Sequence, residues 1–176
     1  MKKLLSILIF IGLFAAAPVH GQTRFYLPSS GTANISPTYS AAWDSTAFAS
    51  RANCTITTTN TAAVSFQIDV DTTNGKNFLS RQYVSAPLIA QTINGTVAGQ
   101  IRGNVNSSSP EAWLFSALSV KVVSNDGSTE RGTLLGVTRN TTIQLPSTLT
   151  NRFTLSSRNV TQVIVQAGDR IVIEVG

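Results

Sequence analysis

The sequence predicts an all-β protein: a single antiparallel β-sandwich, jelly-roll-like, behind an N-terminal signal peptide. Three observations predict it. Apolar and polar residues alternate with period two in several segments, and no window shows a clear helical period. Ser and Thr account for 42 of the 176 residues, and Thr, Val and Ile dominate the periodic segments. Such residues suit a pleated surface. Turn dipeptides separate the periodic segments, giving about ten short strands rather than strands alternating with helices.

In chain order, "MKKLLSILIFIGLFAAAPVHGQTR" comes first. Lys2 and Lys3 precede an apolar run from Leu4 to Ala17, and Gly21 ends a cleavage-type segment. This is the pattern of a secretory signal. The run is shorter than the roughly 20 residues that span a bilayer, and no Cys follows for lipid attachment. The expected division is residues 1–21 as signal and 22–176 as one β-sandwich domain, with no later membrane span.

The strands follow. "TRFYLP" and "CTITTT" are short candidates. "AVSFQIDVDT" sets Val64, Phe66, Ile68 and Val70 on one face and Gln67, Asp69 and Asp71 on the other. "RQYVSA" is a further short candidate. "GTVAGQIRGNV" turns Val97, Ile101 and Val105 inward and Gln100 and Arg102 outward. "WLFSALSVKVVS" is nearly all apolar, as a strand covered on both faces should be. "GTLLG", "TTIQL", "RFTL" and "TQVIV" are short candidates, and "RIVIEV" is the last strand. There Ile171, Ile173 and Val175 alternate with Arg170, Val172 and Glu174. Asn74-Gly75, Asn94-Gly95 and Asp126-Gly127 are hairpin-type dipeptides. "NSSSPEA" at 106–112 reads as a crossover between sheets.

Several phrases occur in order from Thr23 onward: "TRFYLPSSGTANISPTYSAAWD", "RQYVSAPL", "QTINGTVAGQIR", "KVVSNDGSTERGTLL", "LTNRFTL" and "AGDRIVIEVG". Together they resemble a family of jelly-roll-like β-sandwich proteins of bacteriophages and environmental bacteria, unassigned or described as virion structural proteins. The resemblance implies a jelly-roll-like fold and a structural or binding role, and it carries no catalytic residues. Proteins of this look begin at the "TRFYLP" phrase without a signal and continue beyond the "GDRIVIEVG" phrase.

The chemistry open to the chain is narrow. Its one His, His20, leaves with the signal, which excludes imidazole-based nucleophilic catalysis and His-ligated zinc from the mature chain. No phosphate loop or dinucleotide fingerprint is present. Removing Lys2 and Lys3 leaves 11 basic against 8 acidic residues, a net charge of +3 without a basic cluster. That does not point to nucleic acid. Cys54, a lone Cys, reads as a small buried apolar residue.

Asp69 and Asp71, two apart on a strand, put carboxylates on one face roughly 7 Å apart. They read as a solvated sheet face. A calcium site with the Asn74 loop is the next reading, although calcium takes about six to eight oxygens, and a glycosidase pair comes last. Asp126 and Asp169 read as turn residues, and Glu130 and Arg131 as solvent charges. Trp43 and Trp113 read as core residues. Were they exposed, they would form a platform for sugar rings.

The expected function is therefore a non-enzymatic, secreted or virion-type structural or binding protein, without cofactor or metal. It assembles through its sheet surfaces as a homo-oligomer or with a strand-sharing partner. The alternative is a carbohydrate-binding module that holds a glycan on exposed aromatics, with Trp43, Trp113, Asp69 and Asp71 as candidate ligand residues. The expected location is outside the cytoplasm, at the cell surface or in the periplasm, or in a virion. A chain ending on a core strand predicts an unpaired sheet edge beside that strand, left by a missing strand or filled by a partner.

Overall fold

The computed structural model describes residues 23–28, 30–57, 75–102, 115–144 and 152–176. These residues hold nine strands: β1 (Ser50–Asn53), β2 (Arg81–Val84), β3 (Gln91–Ile93), β4 (Thr96–Arg102), β5 (Phe115–Val123), β6 (Glu130–Gln144), β7 (Arg152–Asn159), β8 (Val163–Val165) and β9 (Arg170–Val175). The all-β expectation holds. The expected signal peptide, "AVSFQIDVDT", the 106–112 crossover, Trp113, Asp69 and Asp71 lie outside the described residues.

Five strands form one sheet in the order β1-β2-β9-β5-β6. The sheet is mixed, not wholly antiparallel as expected, because β1 pairs with β2 in parallel. Residues 54–80 separate these two strands in the chain, which gives enough length for a parallel return. The last strand, β9, pairs with β2 on one side and β5 on the other. The open edge expected beside it is therefore absent: the final strand is inserted between earlier ones. Its continuous burial matches its near-continuous apolar sequence, as does that of β5.

β5 and β6 form the hairpin that Asp126-Gly127 predicts. Gly127 N–H donates to Ser124 O at 2.9 Å, and Ser124 N–H to Thr129 O at 2.8 Å. Gly127 has φ +80°, a left-handed conformation that Gly adopts without a Cβ penalty. "GTLLG" and the described residues of "TTIQL", through Gln144, are not two strands but parts of the 15-residue β6, whose pairing with β5 shifts register repeatedly. Those bulges let one long strand bend over the core instead of breaking.

Asn94-Gly95 does not close a hairpin. β3 pairs with β8, and β4 pairs with β7. The same two chain segments thus make one long antiparallel ribbon, from Gln91 opposite Val165 to Arg102 opposite Arg152. Gly95, at φ +98°, lies at its interruption, where Val160 N–H donates to Gly95 O at 3.0 Å. The backbone freedom that suits Asn-Gly to a tight turn serves a kink here. Of "TRFYLP" and "CTITTT", the described residues contribute the bridge between Tyr26 and Thr55. The strand in that region, β1, precedes Cys54.

The main core lies between one face of the five-stranded sheet and the ribbon. Tyr83, Leu118, Val120, Val122, Ile171 and Ile173 meet Val163 and Val165 of β8, with Ile93, Val97 and Ile101 packed alongside. Each fully buried Val contributes about 1.5–3 kcal/mol over its exposed state. Cys54 lies in this core, as expected, and burial pushes its thiol up to about 11. A second apolar cluster, Trp43, Leu79 and Ala117 with Tyr39, Ala49 and Val137, involves residues that precede β1.

Candidate functional site

The opposite face of the sheet carries a row of polar side chains. Strand register places Arg51 beside Gln82, Gln82 beside Glu174, and Glu174 beside Ser119. The row thus crosses β1, β2, β9 and β5. Residues directly opposite on neighbouring strands share a face, so their side chains meet. Gln82 and Glu174 are fully buried. The alternation in "RIVIEV" is real, yet Glu174, on the face opposite Ile171 and Ile173, is shut in as well.

Its carboxylate is saturated. Oε1 accepts from Gln82 Nε2 at 3.0 Å and Ser40 N at 3.1 Å. Oε2 accepts from Trp43 Nε1 at 2.7 Å and Ser119 Oγ at 3.0 Å. Four donors fill the four lone-pair directions of an acceptor-only carboxylate. Lys121 Nζ, also buried, lies 4.0 Å from Oε1 and 3.5 Å from Glu130 Oε2, and donates to Thr38 O at 2.7 Å. Gln82 is held in turn, because its Oε1 accepts from Arg51 Nε at 2.9 Å. Arg51 donates to Pro37 O at 3.2 Å and stacks 3.9 Å above the Tyr39 ring.

These bonds tie residues 37–43 across the sheet. The segment makes no ladder with the strands beneath it; Arg51 of β1, Glu174 of β9 and Lys121 of β5 reach up to its backbone, and Glu174 also to Trp43. A buried charge is stable only when paired and hydrogen-bonded, and the segment supplies two of the donors that Glu174 needs. Every lone pair is taken, so Glu174 has none to offer a substrate or a metal.

The remaining described carboxylates are also engaged. Asp44 accepts from Asn77 N at 2.6 Å. Asp126 accepts from Ser124 Oγ at 2.6 Å and from Ser128 N and Oγ, which pulls its carboxyl down to about 2. Asp169 is buried; it accepts from Gln166 N at 2.8 Å within its turn and pairs with Arg131 at 3.2 Å. Asp126 and Asp169 thus serve turns, as their sequence context suggests. Glu130 and Arg131 are not plain solvent charges: each holds a buried partner of opposite sign.

Trp43 is 6 % exposed, so it belongs to the core and offers no platform to a sugar ring. The other candidate residues, Trp113, Asp69 and Asp71, lie outside the described residues. Sequence reasoning missed Glu174, Gln82, Ser119 and Lys121. The available signal was a set of long polar residues at alternate positions of strands that are otherwise apolar.

One open cleft lies elsewhere, among β4, β6 and β7. It encloses about 410 Å³, counting space open to solvent, and Thr141, Thr142, Ser156 and Arg158 line it above Val97, Leu118 and Leu135. Among the described residues no group of three or more His, Cys, Asp and Glu side chains is placed to hold a metal ion, and no helix is long and apolar enough to cross a membrane.

No family model matches this sequence, and no match was found among curated proteins or solved structures. The resemblance to phage-type jelly-roll proteins therefore stands on the quoted phrases alone.

Proposed function

We propose that this chain is a secreted, non-enzymatic β-sandwich with a jelly-roll-like topology, and that it acts as a structural or binding module that assembles through a sheet edge. The observation that carries this reading is β6. It is the longest strand, it ends the five-stranded sheet, and among the described residues it pairs only with β5. Among the described residues its outer side receives one backbone bond, from Thr161 N–H to Leu134 O at 2.9 Å. An open strand edge presents unpaired backbone groups that a strand of another chain satisfies. The five described carboxylates support the non-enzymatic part, because each holds a turn, a strand or the segment over Glu174. The phage-type phrases support a place in a particle or on a surface, and the signal-like start supports export.

Sedimentation velocity of the exported chain over a concentration series tests the reading. Self-association is expected, and Gly136→Lys on β6 should abolish it. A Cβ at Gly136 meets no atom within 4 Å, so that substitution adds a charge at the edge without disturbing the core. A wild-type chain that stays monomeric at millimolar concentration refutes edge assembly.

A further inference from the structure

The cleft among β4, β6 and β7 is basic in its described lining. Its charged residues are Arg139 and Arg158, and β4, β7 and the second half of β6 hold no Asp or Glu. None of the five described carboxylates lines the cleft. Arg139 is committed through Nη2 to Gly75 O at 2.7 Å and Asn77 Oδ1 at 3.1 Å. Arg158 is not: it is exposed, and among the described residues its side chain has no hydrogen-bond or ion-pair partner. Its cross-strand partner is Val97, which packs against the core. Opposed residues share a face, so Arg158 is on the cleft side of the ribbon.

The other lining groups define what an Arg there would meet. Thr141, Thr142 and Ser156 are exposed, and among the described residues their hydroxyls have no hydrogen-bond partner, while the floor of Val97, Leu118 and Leu135 is apolar. A sugar ring has both characters, with hydroxyls at its rim and C–H groups on its face. A guanidinium adds a fork that fits a carboxylate or sulfate. Among the described residues no aromatic side chain lines the cleft, so they offer nucleobases nothing to stack on.

We propose that this cleft binds one residue of an acidic polysaccharide, a uronate or a sulfated sugar, with Arg158 taking the oxyanion and Thr141, Thr142 and Ser156 the ring hydroxyls. This binding is separate from edge assembly and uses no exposed aromatic.

The test titrates the exported chain with a galacturonate oligomer, its methyl ester, a sulfated oligosaccharide and a single-stranded oligonucleotide, by calorimetry and by amide NMR shifts. Either acidic saccharide should move the amides of Thr141, Thr142, Ser156 and Arg158, and comparing the two tells uronate from sulfate. The ester should bind about tenfold more weakly than the acid, as should Arg158→Gln, since a hydrogen bond to a charged group supplies about that factor. Arg24→Gln, an exposed arginine outside the cleft, should bind like wild type. An unchanged spectrum away from the cleft establishes that Arg158→Gln is folded. Equal binding of acid and ester, Arg158→Gln that binds like wild type, an oligonucleotide that binds as well as the acidic saccharides, or no shift with any saccharide overturns the proposal.

Discussion

Glu174→Gln changes one oxygen to an amide nitrogen at constant volume, and the surrounding geometry fixes what that does. If the new amide nitrogen takes the place of Oε1, it faces two donors, Gln82 Nε2 and Ser40 N. Gln82 cannot turn over to help, because its own oxygen is held by Arg51. If the nitrogen takes the place of Oε2, it faces Trp43 Nε1, while the Ser119 hydroxyl can rotate to accept. One or two buried donors are orphaned either way, at about 1–3 kcal/mol each. The neutral amide is easier to bury than a charge, which offsets part of this. We expect a loss of about 3 kcal/mol for Glu174→Gln. For Glu174→Ala, which removes all four acceptors and leaves a cavity, we expect about 4–5 kcal/mol. For a domain of this size 3 kcal/mol lowers Tm by about 6–12 °C, and a total stability of roughly 5–15 kcal/mol leaves the Gln variant folded. Urea unfolding, followed by tryptophan fluorescence and by circular dichroism, measures it. Trp43 donates to the altered group, so a cycle with Trp43→Phe should show coupling of about 1–2 kcal/mol. A loss below about 1 kcal/mol for Glu174→Gln, or strict additivity in the cycle, refutes the account of a saturated buried carboxylate.

Gly127→Ala forces a Cβ into a left-handed backbone and to 3.1 Å from Ile35 Cδ1 and Pro37 Cγ; a loss of about 1–3 kcal/mol is expected in the same unfolding assay. The hydrogen bonds of Ser124, then those of Ser128, hold the folded carboxyl of Asp126 at about 2 against an ordinary 3.8. A lowered folded value means that its stabilising effect is complete above pH of about 4 and fades as pH falls through about 2. Asp126→Asn should therefore flatten the stability profile in that window and nowhere above it, and an unchanged acid limb counts against the turn geometry. Cys54 is buried with its thiol raised to about 11, so at pH 8 an aromatic disulfide reagent should label it only on unfolding; rapid stoichiometric labelling of the native chain contradicts its placement.

Much of the fold was legible locally. The alternation in "GTVAGQIR" and the apolar run "FSALSVKVV" became β4 and β5, and Asp126-Gly127 became the hairpin that joins β5 to β6. These are short-range facts, set by period-two geometry and by the turn chemistry of adjacent residues. Asn94-Gly95 carried the same signal and led elsewhere, because a left-handed Gly serves a ribbon kink as well as a turn. The short strands β1 and β3 were missed: neither "SRAN" nor "QTI" alternates strongly enough to be read alone, and each exists because a strand distant in the chain, β2 or β8, offers it an edge.

The polar row was harder to read, for a specific reason. Alternation in "RIVIEV" separates two faces but does not say that both are covered. An acid opposite an apolar face looks like a solvent residue unless something known lies over it. Residues 37–43 lie over it, more than 130 positions away in the chain. By itself the sequence determined the strand type of this chain, its strongest turn and the absence of imidazole after the expected signal is removed, since these depend on side-chain identity and spacing alone. Only the tertiary structure decided that β9 sits between β2 and β5, and that Arg51, Gln82, Glu174 and Ser119 line up in register under a crossing segment. Strand order and register are settled by the whole sheet at once, and a buried charge takes its meaning from donors brought to it by distant parts of the chain.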